Sequence, residues 1–348
     1  MRVKKSALPL AIALASSVSF GLSFANASLA QGAAQDEIVL KDGSRLVGSV
    51  TGARDGVITI ETGFAGTLEV DMTQVETLRS TNPAVILLED DLVLEDAPLN
   101  IEGGQLVSGT GNSYGIDALK LVNPEPWELG RGYRWTGYAN AALVMQRGNT
   151  ESDELDYKLE SVWRSTRDRY TFRFNGENDE SNGEQSAENW QVSGKYDYFL
   201  GGPNYWGVQV LAEQDKFADL DLRLLAGPYF GRQFYDDPAF TLSGELGLSY
   251  VDEDFINAED QDYAAANWAL NGTSDYLGGD TRLYFDQIGV WSLEETSDVI
   301  VDTTFGLAIP LLWQIEAAAE IQLDYDSGAP SGVDELDQTY RIRVGYTW

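Results

Sequence analysis

From Arg134 to the terminal Trp348, apolar residues fall on every second position, and that period commits the stretch to β-strands with two unlike faces. The clearest run sets Trp313, Ile315, Ala317, Ala319, Ile321, Leu323 and Tyr325 on one face. Gln314, Glu316, Ala318, Glu320, Gln322 and Asp324 stand on the other. A helix needs apolar positions three and four apart, and these thirteen residues refuse that spacing. Phe240, Leu242, Gly244, Leu246, Leu248 and Tyr250 alternate in the same way with Thr241, Ser243, Glu245, Gly247 and Ser249. So do Trp190, Val192, Gly194, Tyr196 and Tyr198 with Asn189, Gln191, Ser193, Lys195 and Asp197.

Continued to the end, the pattern holds about twelve strands, the even number of a bacterial outer-membrane barrel. Counted from the first strand, the odd connections are polar and read as loops, at 147–154, 178–188, 214–221, 252–262 and 326–337. The even ones read as tight turns, at 166–169, 201–204, 236–239 and 278–280. That alternation places both barrel ends on the periplasmic side. Trp135, Trp163, Trp206, Trp268 and Tyr276 are expected near strand ends, as interfacial girdles require. A soluble sandwich also alternates. Long strands, abundant aromatics and the chain end speak against it. The last strand carries Tyr340, Ile342, Val344, Tyr346 and Trp348 on alternate positions, a pattern similar to the signal read by the barrel-assembly machinery.

The remaining sequence agrees with export. Arg2, Lys4 and Lys5 precede the largely apolar Ala7 to Phe24, and small residues follow, so residues 1–30 read as a signal peptide cut after Ala27 or Ala30. No later stretch approaches the length of a spanning apolar helix. All nine tryptophans lie from Trp127 onward, and the chain before them is aliphatic and acidic. Residues 31–125 therefore read as a small periplasmic domain and 126–348 as the barrel, joined near Asn123-Pro124-Glu125-Pro126. In the small domain, Ile38 to Leu46 reads as strand, Asp-Gly turn and strand, giving an SH3-like β unit. Gly115 to Leu121 echoes Leu68 to Val75, which raises a degenerate repeat beside a chance similarity of turns. The fold class expected is all-β: a transmembrane antiparallel up-and-down barrel preceded by that unit.

Trp135-Thr136-Gly137, Arg147-Gly148-Asn149-Thr150, Tyr196-Asp197-Tyr198-Phe199-Leu200, Arg223 before Gly227 and the closing Gly345-Tyr346-Thr347-Trp348 together resemble the YdiY-like family of salt-induced outer-membrane proteins (domain of unknown function 481). The resemblance covers roughly residues 130 to 348 and leaves Asp36 to Val122 outside. It implies a barrel in the outer membrane and supplies no catalytic residues.

Composition removes many functions. With no histidine and no cysteine, the chain lacks the usual acid–base catalyst, thiol nucleophile, disulfide and common zinc ligands. A net charge of −33, which becomes −36 once Arg2, Lys4 and Lys5 are cut away, repels nucleic acid. No cofactor or metal site is expected. Asp252-Glu253-Asp254 and Glu259-Asp260-Gln261-Asp262 lack the spacing of a calcium loop and read as solvated acidic surface. Paired carboxylates could hydrolyse glycosides, but inward carboxylates are expected in any barrel lumen.

The residues expected to line the lumen are Arg134, Lys158, Glu160, Arg164, Arg173, Lys195, Glu245, Asp302, Glu316, Glu320, Arg341 and Arg343, with Asp156, Glu177 and Asp324 on the same face. Two outcomes follow from such a lining. One is a narrow, cation-preferring channel for small solutes. The other is a closed, ion-paired barrel that anchors the N-terminal unit for a periplasmic partner. Outer-membrane lipid is the surrounding partner in both.

Overall fold

The computed structural model describes residues 35–107, 111–146, 152–237, 239–278, 281–328 and 335–348. The expected signal peptide lies outside these residues. Two compact units meet between Asn123 and Pro124.

The first unit has nine strands: β1 Asp36–Leu40, β2 Arg45–Arg54, β3 Val57–Thr62, β4 Gly66–Asp71, β5 Val75–Leu88, β6 Val93–Glu102, β7 Gln105–Val107, β8 Ser113–Gly115 and β9 Leu119–Val122. It is thus larger than a single SH3-like unit, and its pairing pattern occurs twice. Ile38 stands opposite Leu46 on β2 and Leu78 on β5; Ile86 stands opposite Leu94 on β6 and Val122 on β9. The register slips at Val39/Leu40 and again at Leu87/Leu88. The turn closed by Asp42 accepting from the Ser44 N–H recurs as Asp90 accepting from the Leu92 N–H. Met72–Gln74 forms a single 3₁₀ turn before β5, and Ile116–Ala118 forms one before β9. The first half of β5 also pairs with β6, while β9 pairs with the end of β2. The two patterns therefore share strands and one apolar core, which includes Ile38, Ile58, Leu78, Ile86, Leu99 and Ile101. Buried Asp36 is tolerated there because its carboxylate accepts from the Val50 and Thr81 N–H groups, both at 2.8 Å.

The second unit is a closed barrel of twelve antiparallel strands. They are β10 Arg134–Gln146, β11 Ser152–Arg164, β12 Asp168–Ser181, β13 Glu184–Phe199, β14 Asn204–Asp215, β15 Leu220–Asp237, β16 Phe240–Phe255, β17 Gln261–Ser274, β18 Arg282–Ser292, β19 Val299–Pro310, β20 Ile315–Asp326 and β21 Leu336–Thr347. Each pairs with the next, and β21 closes on β10 from Tyr138–Thr347 to Ala141–Val344. Closure joins the first strand to the last, so the sheet has no fully open edge to expose to lipid. Apolar side chains point outward: Leu246 is 71% exposed and Ile342 is 77% exposed. A soluble protein would not present so continuous an apolar surface. This is a transmembrane barrel of the outer-membrane type.

Even strand number brings the start of β10 and the end of β21 to one rim, here called proximal. Aromatic side chains gather there. Trp135 lies between Trp163 (6.4 Å between rings) and Trp348 (5.7 Å), and Tyr170–Tyr196 (5.0 Å) and Tyr198–Trp206 (6.2 Å) continue around the wall. The terminal Trp348 exchanges both backbone hydrogen bonds with Gly137. A Cβ at Gly137 would come within 2.6 Å of its indole, so glycine is what lets the chain end lie across β10. On β21, Tyr340, Ile342, Val344 and Tyr346 all face outward and are exposed.

Several local expectations are corrected. Residues 178–188 are no loop: β12 and β13 continue to a turn at Asn182-Gly183, both at positive φ (53° and 81°), which fits a type I′ hairpin. β14 and β16 likewise run into residues read as loops, as far as Asp215 and Phe255. Polar side chains reported water on both faces there, whereas backbone pairing needs no apolar residue. Trp313 and Gln314 are not strand residues; at φ 56° and 64° they form the turn between β19 and β20. Trp268 stands mid-strand rather than at an end, its indole N–H donating to Gln287 at 3.4 Å.

Candidate functional site

The barrel interior gathers the charges, and the strands that carry them are often not neighbours. Lys158 on β11 reaches Glu320 on β20 (3.0 Å), and Arg343 on β21 donates to the same carboxylate through Nε (2.6 Å). Lys195 on β13 crosses to Glu245 on β16. Arg341 bridges Asp156 (2.8 Å) and Glu177 (2.9 Å) and also donates to Gln322 (2.9 Å). Arg173 pairs with Glu160 (2.5 Å), and Arg282 with Glu316 (3.2 Å). Glu320, Glu245 and Arg343 are at most 7% exposed. Charges so deeply withdrawn from water persist only when paired and hydrogen-bonded.

Glycines let tyrosines complete those pairs. The Tyr284 ring lies over Gly306 on β19, where a Cβ would meet it at 1.9 Å, and its hydroxyl donates to Glu320 on β20 (2.7 Å). Tyr205 crosses Gly231 on β15 and donates to Glu245 on β16 (3.0 Å). Tyr229 crosses Gly207 on β14 and donates to Asp197 on β13. In each case a tyrosine spans the glycine of the adjacent strand to hold a carboxylate two strands away.

Two cavities flank this ion-paired level. The distal one, at the rim opposite the proximal one, has a volume of about 1290 Å³ and is lined by Lys158, Asp302, Arg341 and Arg343 among others. Fifteen carboxylates and four cationic side chains face it among the described residues. The proximal cavity, about 250 Å³, is lined by Glu160, Arg173, Lys195, Glu245, Glu316 and Glu320. The Lys158–Glu320 and Arg343–Glu320 pairs join residues of one cavity to a residue of the other, so they form the partition.

Ten of the twelve residues expected in the lumen thus reach one cavity or the other. Arg134 and Arg164 reach neither. They stand opposite each other at the proximal end, Arg134 against Trp127 (6.0 Å to the ring) and Arg164 against Phe199 (4.9 Å). The sequence reading missed Arg169, which pairs with Asp197 (2.6 Å), and Arg223, held between Glu213 and Glu253. Both occupy inward alternate positions, the signal that could have found them. Glu253 had been read as part of an acidic loop; it lies in β16 and is buried against Arg223, while Asp252 and Asp254 are exposed. No group of three or more acidic residues arranged to hold a metal ion occurs among the described residues.

The family model described as "Protein of unknown function, DUF481" matches residues 139–348. The chain belongs to that family. It is also 24% identical to the uncharacterized protein YdiY of Escherichia coli (strain K12) over 282 residues, 78% of this chain and 99% of that one. That share exceeds the barrel, so the similarity runs into the N-terminal residues that the sequence reading left outside it. Among solved structures, the NanC porin is similar at a TM-score of 0.39 and 12% identity, covering 62% of this chain and 99% of that one. The translocator domain of the autotransporter NalP from Neisseria meningitidis is similar at 0.35 and 11%, covering 62% and 88%.

Proposed function

We propose that this member of the DUF481 family is a narrow outer-membrane channel that favours small cations, with no enzymatic activity. The observation that carries the reading is the distal cavity, where fifteen carboxylates face four cations. Such an excess in a low-dielectric wall concentrates cations and repels anions. In this reading the distal rim faces outward, the proximal aromatics sit at the inner interface, and the N-terminal unit lies in the periplasm. The outward residues of β21 would then serve the barrel-assembly machinery. The partition keeps the passage narrow, so unit conductance is small.

The test is single-channel recording of the refolded mature protein in planar bilayers under a salt gradient. Discrete steps with a reversal potential on the cation side are expected. Steps with anion preference would sink the cation assignment.

One observation favours a second reading. Glu320 and Arg343 of the partition are almost fully buried, as they would be in a closed barrel that anchors the N-terminal unit for a periplasmic partner. A correctly folded but silent protein would favour that role. Loss of partner capture on deleting residues 31–125 would then locate it.

A further inference from the structure

Six carboxylates line the proximal cavity, and five of them are already neutralised. Glu160 is paired with Arg173, Asp197 with Arg169, Glu245 with Lys195, Glu316 with Arg282, and Glu320 with both Lys158 and Arg343. Asp286 on β18 is the sixth. Among the described residues it has no cation within ion-pair distance and no hydrogen bond. The charged groups facing it are Arg173, Glu160, Lys158 and Glu320, and all of these are engaged with one another or with Arg343.

The neighbouring strand carries its counterpart across the partition. Asp302 on β19 lines the distal cavity, stands opposite Ile288, and likewise has no ion pair or hydrogen bond among the described residues. Asp286 stands opposite Thr304, one inward step further along the same ladder. Two residues of strand rise separate the two levels, about 7 Å. At the level of Asp302, Asp324 on β20 faces it directly in register. Like charges placed opposite each other on adjacent strands oppose folding, and an arginine or lysine in ion-pair contact would offset them. Among the described residues neither has one.

We infer that Asp286, approached through Asp302, is the specificity-determining residue of the channel: the point at which a small monovalent cation passes the partition along the β18–β19 wall. The inference rests on the channel reading above. A permeating cation supplies the charge that this wall lacks, and binding at separate levels a short step apart lets one ion displace the next. The ion-paired residues on the other walls then close the lumen to larger solutes.

The experiment compares wild type, Asp286→Asn, Asp302→Asn and, at the distal mouth, Glu335→Gln. Each is refolded, checked for the folded form by its gel migration without boiling, and recorded in a planar bilayer under a potassium chloride gradient. A several-fold loss of potassium-over-chloride permeability in Asp286→Asn and in Asp302→Asn, with a much smaller loss in Glu335→Gln, is the expected result. Wild-type selectivity in folded Asp286→Asn and Asp302→Asn would overturn this assignment and leave the channel standing. A folded wild type that never conducts would overturn the channel reading and this inference with it.

Discussion

The two units of this chain obey the same period and are built inside out with respect to each other. In the N-terminal unit, Ile38, Ile58, Leu78 and Ile101 are fully buried and charged residues such as Glu61 and Glu69 lie outside. In the barrel, Asp197 and Arg343 are buried while Leu246 and Ile342 face outward. Alternation alone is neutral between these arrangements, because it says only that two faces meet two media. Water surrounds the first unit and drives its apolar face inward. Hydrocarbon surrounds the second, so its polar face has nowhere to go but the lumen. What distinguishes them in sequence is strand length and aromatic content: the barrel strands run to eighteen residues in β15, and every tryptophan lies beyond the small unit.

The comparison breaks if the buried charges of the barrel can be removed without cost. Glu320→Ala would strip Lys158 of its ion-pair partner and leave the buried Arg343 guanidinium only Asp156 at 3.9 Å, an expected loss of about 3–5 kcal/mol. Equilibrium unfolding in lipid vesicles reads it, and a loss no larger than that of an exposed Glu→Ala control would mean the lumen is wetter than its ion pairs imply. Leu78→Ala probes the other interior. It should cost about 2–5 kcal/mol in the N-terminal unit, whereas Leu246→Ala, outward on the barrel, should cost well under that in the same denaturation series. Similar losses at the two sites would erase the contrast between an apolar core and an apolar coat.

Facing can be sharpened within one strand. Ile321 points outward and Gln322 lines the distal cavity, where it accepts from Arg341. Arginine at Ile321 should cost about 2–4 kcal/mol near the bilayer midplane, and much less at Gln322. Equal costs, measured by refolding titration, would reverse the assignment of faces. The smallest effect is expected at Asp71, whose carboxylate accepts from the hydroxyl and N–H of Thr73 (2.7 and 2.8 Å). The hydroxyl chiefly, and then the N–H, hold its carboxyl below the usual carboxylate range. A group lowered on folding stabilises above its unfolded value, and that contribution disappears as pH falls through the folded value. Asp71→Ala should therefore lower the melting temperature of the N-terminal unit slightly at neutral pH and not at all in strong acid. A difference that persists in acid would mean the turn is held by something other than the carboxylate.

Much of this was legible in the residues. The number of barrel strands, the side that Lys158, Glu245 and Arg341 face, and the outward row ending at Trp348 all follow from counting by two. The errors have one cause. Residues 178–188 looked like a loop because both faces are polar, yet a β-ladder is held by backbone groups that composition does not report. Trp313 continued the alternation and was placed in a strand, although its positive φ makes it part of a turn.

By itself the sequence determined the class of fold, the division into two chemically unlike units, the exclusion of histidine and cysteine chemistry, and which side chains turn inward. Those properties are local or compositional, and each can be evaluated from neighbouring residues. Tertiary structure alone decided which inward charges meet. Lys158 finds Glu320 only because the barrel closes with one particular stagger between β10 and β21, and Lys195 finds Glu245 only because the wall curves enough to bring β13 within reach of β16. It also decided that Asp286 and Asp302 would be left out of that pairing, since a charge is uncompensated only with respect to what surrounds it in space.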